Sequence, residues 1–184
     1  MNDADTAAMP IGYINFDGTP GDNNEVEMVV PHDRLARLRR GQYVSLSSTV
    51  TGSVRHYLAR IIRGPYYVPD AVSRDSAFAR ASILQADEVK FRPDYHGICK
   101  MEVLGELPDA DSNSVTGAFS RPVPQTAVAA LPPDRIRQLL GLDGDMYIGK
   151  LSGYPEVRVH FKSDNKAVLP RNMGVFGTVG SGKT

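Results

Sequence analysis

From Ile11 onward the sequence falls repeatedly into short runs in which apolar and polar residues alternate, with turn-forming residues between the runs. The runs are Ile11-Gly-Tyr-Ile-Asn-Phe16, Glu25-Val-Glu-Met-Val-Val30, Gln42-Tyr-Val-Ser-Leu-Ser47, His56-Tyr-Leu-Ala-Arg-Ile-Ile62 and Gly97-Ile-Cys-Lys-Met-Glu-Val-Leu104. A period of two puts successive side chains on opposite faces of a pleated strand, so each run has one face to bury. Asp17-Gly-Thr-Pro-Gly-Asp-Asn-Asn24 is dense in turn formers and separates the first two runs. Further strand signals are Tyr147-Ile148, Val157-Arg-Val-His-Phe161 and Met173-Gly-Val-Phe176. Many short strands with few helices predict a mainly β chain, a small antiparallel β-barrel or sandwich rather than a parallel α/β sheet.

Helical signals are fewer. Asp33–Arg40 carries Leu35 and Leu38 three apart and is followed by Gly41, a plausible stop. Ala71–Gln85 has room for a helix but poor apolar spacing. Pro133–Leu140 is the best case, with proline at its start, Ile136, Leu139 and Leu140 on one face, and Gly141 after it. The expected organisation is a flexible tail over 1–9 and the barrel over 10–105. A linker rich in Pro, Ser, Asp and Gly follows over 106–124, and 125–184 leads into a second domain.

Composition narrows the function classes. Lys plus Arg and Asp plus Glu are 21 each, so the balance itself calls for no polyanionic partner. One cysteine, Cys99, makes no internal disulfide, which fits a reducing cytoplasm, and burial as a small hydrophobe is its expected role. The first residues lack the basic and apolar regions of a secretory signal. No apolar run approaches the roughly 20 residues a membrane helix needs, so neither a membrane partner nor a location outside the cytoplasm is expected.

The last eight residues carry chemistry: Gly177, Thr178, Val179, Gly180, Ser181, Gly182, Lys183 and Thr184 match G-x-x-x-x-G-K-[ST], the P-loop. Phosphates are held where several backbone N–H groups converge, and only a chain with little side-chain bulk curls that tightly, hence the three glycines. Lys183 is expected to reach the β- and γ-phosphates of ATP, and the Thr184 hydroxyl to ligate Mg²⁺. The short apolar run Asn172-Met-Gly-Val-Phe176 supplies the strand that must precede such a loop. A helix, an acidic Mg²⁺ partner and a water-orienting group are needed after it. The chain stops at Thr184, which reads as the truncated start of a P-loop α/β domain, inactive in ATP hydrolysis on its own.

Gly144-Asp-Met-Tyr-Ile-Gly-Lys-Leu151, Val157-Arg-Val-His-Phe161 and Leu169-Pro-Arg-Asn-Met-Gly-Val-Phe176 running into the P-loop together resemble the HerA family of hexameric DNA-translocating ATPases, relatives of the FtsK motors. The resemblance implies a HAS-barrel ahead of the motor, similar to the N-terminal barrel of rotary ATP synthase subunits. Ile11–Ile14 and Tyr57–Tyr66 match its first and a later strand. It further implies a homo-hexamer, a nuclease or other effector docked on the barrel side, DNA handled by the motor, and a role in DNA repair or phage defence. The alternative is a docking module of a rotary or secretion-type ring ATPase with no DNA substrate, and a P-loop alone does not separate the two.

The remaining polar residues have plainer readings. Arg34, Arg37, Arg39 and Arg40 are either the solvated face of a helix capping the barrel or a contact for DNA or an acidic partner. His32, His56, His96 and His160 lack metal-ligand spacing, and Asp109 and Asp111 read as solvated linker charges. Tyr66 and Tyr67 sit on opposite faces, one expected in the core and one at an interface.

Overall fold

The computed structural model describes residues 9–16, 24–50, 52–70, 72–84 and 94–164. The chain divides into two compact units between Pro132 and Pro133. The first holds β1 (Gly12–Ile14), β2 (Glu25–Val30), a 3₁₀ helix (His32–Arg37), β3 (Tyr43–Val50), β4 (Ser53–Pro69), α1 (Ala77–Leu84), β5 (Tyr95–Leu107) and β6 (Ala127–Ala130). Its strands form a closed antiparallel barrel in the order β1-β2-β5-β4-β3-β6, with β6 returning to β1. The mainly β class and the barrel are thus as expected. β3, β4 and β5 are consecutive neighbours and β6 returns beside β3, a Greek key.

The period-two runs account for the wall. Along β5 every second residue from Gly97 to Leu107 is buried, including Cys99, Met101 and Val103. In β2 the buried set is Val26, Met28 and Val30. These side chains meet Ile14, Val44, Leu46, Tyr57, Ala59, Ile61 and Val128 in one core. The outward positions carry charge: Arg60 pairs with Glu102 at 3.0 Å, and Lys100 approaches Glu25 at 3.8 Å. β4 breaks the alternation at Tyr57-Leu58-Ala59, all buried, where a bulge shifts the register against β5.

The boundaries differ from the expected ones at β6. Ala127-Val-Ala-Ala130 pairs with both β1 and β3, so it belongs to the barrel rather than to the lead-in over 125–184. The stretch over 106–124 accordingly connects two barrel strands. It returns alongside β5, where Thr116 bridges Glu106 and the Thr116 carbonyl oxygen lies 2.3 Å from where a Cβ on Gly105 would sit. Only glycine admits that approach. Ser48, buried in β3, accepts hydrogen bonds from the Val123 N–H and the Thr126 hydroxyl at 3.0 Å each and fixes the end of the return.

The helices are shorter than expected. The segment after β2 is a single 3₁₀ stretch ending at Arg37, because Leu38 turns to extended geometry while Leu35 and Leu38 pack against the barrel core. Gly41, at φ +81°, turns the chain into β3 instead of ending an α-helix. α1 begins at Ala77, where the Ser76 hydroxyl accepts the Ala79 N–H at 3.0 Å.

The second unit contains α2 (Pro133–Leu139), β7 (Met146–Leu151) and β8 (Tyr154–Phe161), with α2 packed on β8. α2 stops as expected: Gly141 N–H bonds Gln138 O and Leu142 N–H bonds Arg137 O, a Schellman closure with Gly141 at φ +61°. Ile136, Leu139, Leu142, Tyr154 and Val157 are buried, whereas Leu140 is only half-buried.

Candidate functional site

The expected nucleotide loop, Gly177, Thr178, Val179, Gly180, Ser181, Gly182, Lys183 and Thr184, lies outside the described residues, as does its expected strand at 172–176. Upstream of it, the described ends of β7 and β8 are tied together. Asp145 accepts the Ser163 N–H at 2.8 Å and the Ser163 hydroxyl, and these bonds hold its carboxyl below the usual range. A Cβ on Gly144 would fall 2.1 Å from the Phe161 carbonyl carbon.

The histidines are kept apart. His32 sets its ring edge to Tyr95 with centroids 4.5 Å apart, and His56 Nδ1 lies 2.8 Å from the Ser47 hydroxyl. His96 Nδ1 lies 2.5 Å from Asp70, and His160 tilts against Tyr147. No trio of His, Cys, Asp or Glu among the described residues is placed to hold a metal ion. Burial pushes the Cys99 thiol up to about 11, so at neutral pH it is a protonated, unreactive core group. No helix among the described residues is long and apolar enough to cross a membrane. Asp109 and Asp111 are exposed, with Asp111 N–H bonded to the Asp109 carboxylate at 3.0 Å.

The end of the barrel capped by the 3₁₀ helix has the most distinctive surface. Gly97 in β5 leaves room for Leu35 of that helix and lies against Pro65 of β4, so the helix seats directly beside the far half of β4. Tyr67 of β4 and Tyr95 of β5 meet edge to face with centroids 5.7 Å apart, and His32 adds a third ring against Tyr95. Tyr67 is 60% exposed and Tyr66 56%, so neither lies in the core, contrary to the expected split. They stand on the part of β4 beyond Ile61, its last fully buried residue. A groove of about 380 Å³ opens beside Tyr67 and Tyr95, closed on its other side by Ala79, Ser82 and Ile83 of α1, with Arg74 at its margin.

The sequence-marked arginines separate here. Arg34 Nη1 donates to the Pro10 carbonyl at 2.6 Å, and its Nε is 3.7 Å from Asp33, so it is structural. Arg37, Arg39 and Arg40 are exposed and, among the described residues, make no ion pair or side-chain hydrogen bond. Arg63 is a fourth of the same kind. It was not legible as a partner of the others, because only the bonds Gly41 N–H to Ile61 O and Ile61 N–H to Gln42 O bring the two segments side by side.

A second polar node ties the return loop to the barrel. Glu106 Oε1 accepts the Ser120 N–H at 3.1 Å and its hydroxyl at 2.6 Å, while Arg55 lies 3.6 Å from the other oxygen. The Tyr57 hydroxyl reaches the same serine at 2.8 Å. The Ser120 hydroxyl, and after it the Arg55 charge, holds the Glu106 carboxyl below its ordinary value. A depressed carboxyl contributes stability above its unfolded pKa of about 4.3 and loses it as pH falls through the folded value. Glu106→Gln is therefore expected to lower the melting temperature by a few degrees at pH 7, roughly the effect of 1 kcal/mol. That deficit should shrink below about pH 4. Thermal melts of both proteins at the two pH values check it.

In the second unit, Arg137, Asp143, Glu156, Arg158 and His160 line a cleft of about 530 Å³. Its charges oppose one another, and Arg137 is engaged by Asp134 at 2.5 Å and Asp143 at 3.8 Å, so it presents no unbalanced field. No protein-family model matches the sequence, and no curated protein matches it either.

Proposed function

We propose that this chain belongs to a HerA-like ATP-dependent DNA translocase. The observation that carries the reading is Gly177–Thr184, a complete P-loop sequence behind a short apolar run. The closed six-stranded barrel ahead of it is the second support. In this reading the barrel serves assembly of a six-membered ring and docking of a nuclease or other effector. Lys183 and Thr184 bind ATP and Mg²⁺, and DNA is moved by the motor that the P-loop opens.

The test is hydrolysis by the gene's complete product, purified and assayed for phosphate release with Mg²⁺, with and without duplex DNA. Turnover stimulated several-fold by DNA is expected. Robust turnover indifferent to DNA would move the assignment to a rotary or secretion-type ring ATPase. Absence of turnover under both conditions would remove the ATPase reading altogether.

A further inference from the structure

From the exposed but anchored Phe119 near one end of the barrel and the apolar groove near the other, we infer that copies of this chain join head to tail. Phe119 of one copy enters the groove between Tyr67, Tyr95 and Ile83 of the next.

The first observation is the knob. Phe119 is 94% exposed, more than any other large apolar side chain among the described residues. Its neighbours are pinned to the barrel. Thr116 and Glu106 exchange two backbone hydrogen bonds, at 3.0 and 2.9 Å. Ala118 packs against the barrel core. The Ser120 N–H and hydroxyl both donate to the Glu106 carboxylate. Phe119 is thus held out in water by a segment that is already ordered, so seating it costs little further conformational entropy.

The second observation is a receptor of matching chemistry. The groove of about 380 Å³ is walled by Tyr67, Tyr95 and Ile83, and Ile83 is 76% exposed. A cavity of about 150 Å³ takes a benzene ring, so a phenyl group has room here. Tyr67 and Tyr95 already meet edge to face, the arrangement that a third ring extends.

Knob and groove do not meet within one chain. Ser120, next to Phe119, is bonded to Glu106 near the end of β5, whereas Tyr95 opens the same strand. At about 3.3 Å per residue the two sites stand roughly 35 Å apart, far beyond the reach of a side chain. The occupant therefore comes from a second molecule, and charge favours another copy. Residues 108–120 around the knob carry Asp109 and Asp111 and no cation, while residues 72–84 beside the groove carry Arg74 and Arg80 against the single acid Asp75. Two knob segments repel each other, whereas knob segment and groove attract. A contact between two different patches repeats from copy to copy and closes into a ring where the rotation allows. It supplies a specific contact for the ring assembly proposed for the barrel, and it needs neither ATP nor the motor.

The test is sedimentation velocity of the 184-residue chain without nucleotide, over a concentration series into the high micromolar range. Mass rising with concentration is expected. Phe119→Ser and Ile83→Asp should each weaken self-association about 10–100-fold, the range for one fully buried aromatic side chain. Both positions are exposed, so circular dichroism melts should match wild type. The decisive sample is an equimolar mixture of the two variants. Phe119→Ser copies keep the groove and Ile83→Asp copies keep the knob, so the mixture should form one-to-one dimers and stop there. A wild-type chain that stays monomeric throughout overturns the contact, as does association indifferent to either substitution. A mixture no more associated than its separate components overturns the head-to-tail arrangement. Hydrolysis is not measured, so a failed assay on the whole gene product leaves this result intact, and a failure here leaves the motor reading intact.

Discussion

Replacing Val128 by Asp is expected to abolish the cooperative folding of the barrel. Val128 is fully buried in the core, and its register partners are Gly12 on one side and Leu46 on the other. Its carbonyl also accepts the Ile11 N–H at 2.8 Å. It therefore sits on the seam where the sheet closes on itself. A carboxylate there enters the core that holds Val44, Leu46 and Met28, which has no cation among the described residues to receive it. Desolvating such an ion costs several kcal/mol after relaxation. The lost apolar burial adds about 2 kcal/mol more. Against a total stability of roughly 5–15 kcal/mol, that removes most or all of the folded population. Ala127→Asp is the control, because Ala127 is exposed on the same strand and should change stability by about 0.5 kcal/mol or less. Circular dichroism melts of the two variants check the pair. Equal melts would mean that β6 does not close the barrel.

Replacing Lys183 by Ala is expected to lower ATP hydrolysis by the whole gene product about 100-fold or more, the usual consequence of removing one preorganised charge from a reacting centre. On the proposed reading the glycines would let backbone N–H groups surround the phosphates, while the only full positive charge in the eight-residue motif is the Lys183 ammonium. As bonding electrons move onto the phosphate oxygens, the backbone dipoles alone stabilise them less. Lys183→Arg restores charge but not shape, since a planar guanidinium does not fit a turn built for a compact ammonium, and should recover little activity. Thr184→Ala should instead raise the Mg²⁺ concentration required. Phosphate-release rates over a Mg²⁺ titration separate the three. Undiminished turnover in the Lys183→Ala protein would assign hydrolysis to some other site.

The wall of the barrel was largely legible from the chain. Alternation at Val26, Met28 and Val30, and from Cys99 to Val103, is a local property, written in neighbouring residues and read without knowing what they face. The Gly141 stop was legible for the same reason, since a Schellman closure involves only residues a few positions apart. β6 was not. Ala127-Val-Ala-Ala130 has weak strand preference and one fully buried side chain, and it becomes a strand because β1 and β3 each offer it a free edge. The rim was half legible. Arg37, Arg39 and Arg40 stand out in sequence, but nothing local announces that the pairing of Gly41 and Gln42 with Ile61 brings Arg63 beside their segment.

By itself, then, the sequence determined most of the strand content, which face of β2 and β5 is buried, and the presence of a run that fits the P-loop pattern, because all three are encoded over a few consecutive residues. Only the tertiary structure decided how the sheet closes, where the first unit ends and which distant side chains meet, as Glu106 meets Ser120 and Arg55. Those outcomes depend on pairings between segments tens of residues apart, whose stability comes from edges and cavities that exist only after the rest has folded.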